Sequence, residues 1–146
     1  MRPEIWNPPI ELSVKEEKVA KRVRRAKLFV FLRQIRHQLF DWEFQIELAT
    51  VFKDSSVGLS PIPPAQLALA IILQAYTGVS DDEAIEVIEM DRRWQLTLDC
   101  LDCEQPPFSK STLVKFRALL ILKSFDRRLI EKTIEMAHLY EGYNPK

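Results

Sequence analysis

Glycine is scarce in this chain, with three in 146 residues, and the nine prolines gather near the start, around Ser60 to Pro64 and at Pro106 and Pro107. Turn formers so concentrated do not separate many short strands. No alternating apolar and polar run bounded by turns is present either, so sheet is expected to be nearly absent. Cysteine is scarcer still. Cys100 and Cys103 lie too close for a useful structural bridge, and His37 and His138, each alone, do not complete a zinc set with them. The strand and helix setting of a redox Cys-X-X-Cys is missing, so both are expected to be buried or half-buried free thiols. Neither histidine has a Ser or Cys nucleophile arranged with it. A membrane-spanning run is also lacking: the longest apolar stretch, Leu67 to Leu73, has the length of a core helix segment, and no secretory signal pattern stands at the start. A cytoplasmic location is the expectation, with no metal, cofactor or disulfide required.

Net charge is missing too, with 21 Lys and Arg against 21 Asp and Glu, which argues against a wholly basic nucleic-acid binder. The distribution is uneven. From Lys15 to Arg36 nine cations face Glu16 and Glu17; from Asp81 to Glu104 nine acids face Arg92 and Arg93; from Lys110 to Lys132 seven cations face Asp126 and Glu131. Two basic stretches around an acidic middle let one surface meet phosphate while another repels it or pairs internally.

What is present is helical. With 47% hydrophobic residues the chain suits one ordinary globular domain, read as an extended segment over 1–12 and a single helical domain over 13–146. Ser13 with Glu16 forms a capping box that opens a helix expected to run from Val14 to Leu39. Asp41 caps a short helix carrying Phe44, Leu48, Val51 and Phe52, and the loop from Lys53 to Pro64 follows. Pro64 at a first turn then leads an almost wholly apolar helix to Tyr76, the expected centre of the core. Ser80 and Glu83 make a second capping box. A helical segment after Asp91 carries Trp94 and Leu98, Ser109 or Ser111 caps the next helix, and Ser124 caps a last one with Phe125, Leu129, Ile130, Ile134 and Ala137 facing inward. The fold class expected is all-α, a compact orthogonal bundle of five or six helices around the central apolar helix.

Over residues 63–122 the order, spacing and types of several residues coincide with a known pattern: Pro64, Leu67 and Leu73; Tyr76, Gly78, Ser80, Asp81 and Glu83; Asp91, Arg93 and Trp94; and Phe108, Ser109, Ser111, Thr112, Leu113, Phe116 and Arg117. This stretch resembles the N-terminal helical domain of bacterial insertion-sequence transposases of the DDE class, more weakly on both sides. The resemblance implies recognition of the ends of a mobile element, with strand transfer carried by a following ribonuclease H-like domain whose three acidic residues bind two metal ions. The chain ends about where that domain is expected to begin, so no residue here inherits a catalytic role and an enzyme is not expected. Residue chemistry points the same way: two-metal catalysis needs carboxylates converging on ions about 4 Å apart, whereas the acids here lie on helix caps and solvent-facing stripes.

Each basic stretch then has two readings. Lys18, Lys21, Arg22, Arg24 and Arg25 either neutralise phosphates, releasing counterions, or form a solvated face paired with the acidic middle. Ser109, Lys110, Ser111, Thr112 and Lys115 gather at a helix start, where backbone donors favour a phosphate oxygen. Arg117 either reaches DNA or pairs with a carboxylate such as Asp91 beneath a capped core helix. The helices flanking Thr77 to Ser80 have the length of a helix-turn-helix, but the second carries almost only negative charge and reads as scaffold. Trp42, Phe44, Trp94, Phe108, Phe116 and Phe125 read as core rather than base-stacking residues. Double-stranded DNA is the expected partner, bound at the terminal repeats. The rival is a protein-interaction module, a homodimer or a partner of full-length transposase, with an apolar patch on the last helix and Tyr140 and Tyr143 near it.

Overall fold

A computed structural model describes residues 4–52 and 62–139. Among these, eight α-helices and one 3-10 turn are present and no strand, which matches the all-α expectation and exceeds the expected helix number. The expected loop over 53–64 and the two terminal tyrosines lie largely or wholly outside the described residues.

The first helices show where the extra element arises. Helix α1, Val14–Arg22, starts at the Ser13 and Glu16 capping box as read from sequence. It does not continue to Leu39. The chain turns at Val23–Lys27, with Ala26 in the left-handed region at φ 56°, and α2 restarts at Leu28–Leu39. Apolar spacing across the turn mimics one helix because Val19 and Phe29 are both buried, on separate helices. Helix α3, Trp42–Ala49, is capped by Asp41, whose Oδ1 accepts from the Phe44 backbone at 2.8 Å, and runs into a 3-10 turn at Thr50–Phe52.

Helix α4, Pro64–Thr77, is the hub. From Pro64 to Gln74 every residue except the half-buried Ile71 is buried, and the helix touches α3, α6 and α7. It stops at Gly78, whose φ of 78° suits glycine and whose N–H donates to the Gln74 carbonyl. Helices α5, Asp81–Met90, and α6, Arg92–Leu98, follow, the former on the second capping box and the latter capped by Asp91. Helix α7, Lys110–Leu122, begins at the Ser109 cap. It ends where the Phe125 N–H donates to Leu120 and the Ser124 N–H to Ile121, with Ser124 at φ 56°. Ser124 therefore closes α7 rather than capping α8, Asp126–Leu139.

Three burial expectations change. Trp42 is 66% exposed, because α3 points its second turn inward through Phe44, Gln45 and Leu48. Ile130 and Ile134 are exposed as well; α8 buries Leu129 and half-buries Phe125 and Ala137. Arg33 and Arg36, counted above in a basic surface, are each 1% exposed. Arg33 donates to the carbonyls of Ile10 and Glu11 at 3.0 Å and to Glu16 at 2.9 Å. Arg36 donates to Pro9 at 3.0 Å and to Leu96 and Thr97, carbonyls at the C-terminal end of α6, and its guanidinium lies over Trp6. Burial lowers the Arg36 pKa to about 10. Gln45 completes the grip, accepting from the Trp6 N–H at 2.7 Å and donating to the Trp6 carbonyl at 2.8 Å. Residues 4–12 have no helix, as expected, and are strapped across α2 and α3 by these three side chains.

Candidate nucleic-acid interface

Helix α1 is placed by two contacts that both use its own first turn and inner side. Glu16 caps Ser13 and at the same time receives the buried Arg33 of α2, while Val19 packs toward α6. Burial alone would raise the Glu16 pKa, but the hydrogen bonds from Arg33 and the Ser13 backbone outweigh it, and the net shift is downward. Glu16 is thus an anion committed to the interior. The outer face of α1 is left to Lys15, Lys18, Lys21 and Arg22, all exposed.

The turn after α1 carries Arg24, Arg25 and Lys27, again exposed. Among the described residues, Lys18, Lys21, Arg22, Arg24 and Arg25 have no ion pair. Between α1 and α6 lies a groove of about 460 Å³ lined by Val14, Lys15, Lys18, Val19, Arg22 and Arg92. Arg92 was not in the set read from sequence, since it belongs to the acidic middle and only packing of α1 on α6 brings it here. Asp102 faces both Lys15 and Arg92. The rival pairing of this helix with the acidic stretch therefore exists, but it reaches Lys15 and leaves those five cations without an ion pair among the described residues.

The start of α7 is a different environment. Ser109 Oγ accepts from the Thr112 N–H at 3.2 Å and lies 3.1 Å from the Thr112 hydroxyl, so both are used in capping. Lys110 pairs with Asp82 at 2.9 Å, and the acidic first turn of α5 lies alongside, α5 being packed on α7. Arg117 is engaged by Asp81, with NH1 donating at 3.0 Å, and by Gln74 through a very short hydrogen bond. Its carboxylate partner is Asp81, not Asp91, which holds Arg93 at 2.8 Å. The Arg117 hydrogen bond, followed by that of Gln74, holds the Asp81 carboxyl below its ordinary range. Ser111 and Lys115 alone remain exposed and unpaired there among the described residues.

The sulfur pair is quiet. Cys100 and Cys103 are free and half-buried, and burial, with Cys103 beside it, pushes the Cys100 thiol well up. Among the described residues no group of three or more His, Cys, Asp or Glu could hold a metal ion, and no helix is long and apolar enough to cross a membrane. His37 is half-buried and His138 exposed.

The described residues thus form an all-helical body with an exposed cationic helix and turn. The chain belongs to the family described as Transposase domain (DUF772), whose model matches residues 16–119. No curated protein and no solved structure matches it. The matched range takes in the lower part of α1, the turn, and everything through the core of α7.

Proposed function

We propose that this chain is the DNA-binding part of a transposase, meeting the phosphate backbone of duplex DNA through α1, the turn that follows, and Arg92, with the terminal repeats of a mobile element as its target. One observation carries the reading: five exposed cations, Lys18, Lys21, Arg22, Arg24 and Arg25, lie within eight residues of sequence with no carboxylate partner among the described residues. Unpaired cations can each neutralise a phosphate and displace a counterion condensed on the DNA, so binding is driven by counterion release. Family membership supports DNA as the polyanion, since transposases act on it. The start of α7 is left out of the contact surface because Asp82 and Asp81 already neutralise Lys110 and Arg117. Strand transfer is assigned to no residue here.

Titration of labelled duplex by fluorescence anisotropy across salt tests this. The five unpaired cations alone contribute about −4.5 to the slope of log affinity against log salt. Reversing Arg22, Arg24 and Arg25 together flattens it by about 2.7 and weakens binding to all sequences alike. Unchanged affinity and slope in that variant would remove the surface.

A second reading has an observation of its own. Ile121 and Leu122 of α7 and Ile130, Ile134 and Leu139 of α8 are all exposed, an apolar face of the kind that a dimer or a full-length transposase covers. Sedimentation over a hundredfold concentration range decides it, a constant monomer mass excluding self-association.

A further inference from the structure

The four cations of the groove between α1 and α6 are not equivalent. Lys18 and Arg22 are unpaired among the described residues, whereas Lys15 and Arg92 converge on one carboxylate. Lys15 Nζ meets Asp102 Oδ2 directly, and Arg92 NH2 lies 3.3 Å from Asp102 Oδ1. Each oxygen takes one cation, one from each wall of the groove. Asp102 reaches this place from the loop after α6 with a left-handed backbone, φ 64°. Its N–H donates to Gln95 Oε1 at 3.0 Å, and the buried Gln95 is itself fixed by donating to the carbonyls of Ile88 and Glu89. The position of the carboxylate is therefore built by the core, not by the cations it touches.

Lys15 is 60% exposed, Arg92 52% and Asp102 37%. Ion pairs so wetted add little to stability, so these bonds are cheap to exchange. A carboxylate and a phosphodiester each offer two oxygens that share one negative charge, and Lys and Arg donate to either.

We propose that Asp102 stands in this groove where a DNA phosphate would bind, handing Lys15 and Arg92 to the phosphodiester as the duplex arrives and so setting the affinity of the site. The inference rests on the reading that this face binds duplex DNA. In the free protein Asp102 orients two cations over the groove and cancels one charge of four. It also competes with the incoming phosphate. The counterions released are those condensed on the DNA, so the salt slope counts the phosphates neutralised, and Lys15 and Arg92 count toward it once Asp102 has released them.

The test uses the whole chain and a 20-base-pair duplex, comparing wild type with Asp102→Asn and Glu104→Gln. Asparagine accepts the left-handed backbone as aspartate does, and matched thermal melts confirm that the fold is kept. Glu104 is exposed and unpaired among the described residues, so its variant makes the same change in net charge without opening the groove. Expected for D102N is affinity about five- to tenfold higher at about 0.1 M salt with the slope unchanged, because Lys15 and Arg92 meet phosphate in both proteins and only the competing carboxylate is lost. Adding Lys15→Gln and Arg92→Gln to D102N removes the gain in affinity and flattens the slope by about 1.8. Equal gains from E104Q and D102N, or a D102N variant that binds no better than wild type, overturn the exchange while leaving duplex binding intact. Absence of duplex binding by both wild type and D102N overturns the DNA reading and the exchange together. Binding by D102N alone supports the exchange in its strongest form.

Discussion

Replacing Glu16 by alanine should detach α1 from the body of the protein. The carboxylate accepts Arg33 Nε at 2.9 Å and NH2 at 3.3 Å, and closes the capping box on the Ser13 N–H at 3.0 Å. Each hydrogen bond to a charged partner contributes about 1.5–3 kcal/mol, and leaving one member of a buried pair uncompensated costs about 3–5 kcal/mol. Arg33 keeps the carbonyls of Ile10 and Glu11, so the lower end applies and about 3 kcal/mol is expected. With about 2–4 °C lost per kcal/mol in a chain of this size, the melting temperature falls by about 6–12 °C. Glu16→Gln retains an acceptor for both neighbours and should lose about half as much. The sign with pH follows from the lowered carboxyl of Glu16. A depressed pKa stabilises the fold above the ordinary carboxylate range, and the contribution disappears as pH falls through the folded value. Urea unfolding of wild type and E16A should therefore differ fully near about pH 7 and converge toward about pH 3. A difference under about 0.5 kcal/mol at neutral pH, or one that stays constant down to acid, would refute the ion pair as the anchor of α1.

Other changes test other joints. Ala26→Gly relieves the left-handed backbone of the turn and should raise stability by about 0.5–1 kcal/mol, while Gly78→Ala at φ 78° should lower it by about 1 kcal/mol; a chemical melt reads both. Gln45→Leu strands the Trp6 N–H and two carbonyls in the interior, costing about 3 kcal/mol and exposing residues 4–12 to limited proteolysis. Asp81→Asn removes a depressed carboxylate, so its stability should change less than wild type's as pH drops below the carboxylate range; an unchanged acid profile would deny Asp81 and Arg117 that role.

Local signals carried most of the helix starts. Ser13, Asp41, Ser80, Asp91 and Ser109 all accept from the backbone of the turn they open, because capping is settled within three residues of sequence. The apolar run from Ala65 to Leu73 named the core helix for the same reason. What failed depended on distance. Nothing around Ala26 marks a left-handed residue, and the break there follows from α1 and α2 packing separately, α1 on α6 and α2 on α6 and α8. Arg33 and Arg36 look like neighbours of Arg24 and Arg25 in sequence, yet their acceptors are carbonyls on the strap and on α6, up to 61 residues away. Five cations of the proposed interface stand out by charge and spacing alone, whereas Arg92 and Asp102 needed the packing of two helices far apart in the chain.

The strap over α2 and α3 is gripped almost wholly by its main chain. Arg33 and Arg36 hold the carbonyls of Pro9, Ile10 and Glu11, and Gln45 holds both polar groups of Trp6. A peptide recognised by its amides, with one indole as its peg, is indifferent to most of the letters it spells. Mutational drift in residues 4–12 should thus run far ahead of drift at positions 33, 36 and 45, and grafting an unrelated extended sequence that keeps Trp6 should leave the clasp closed.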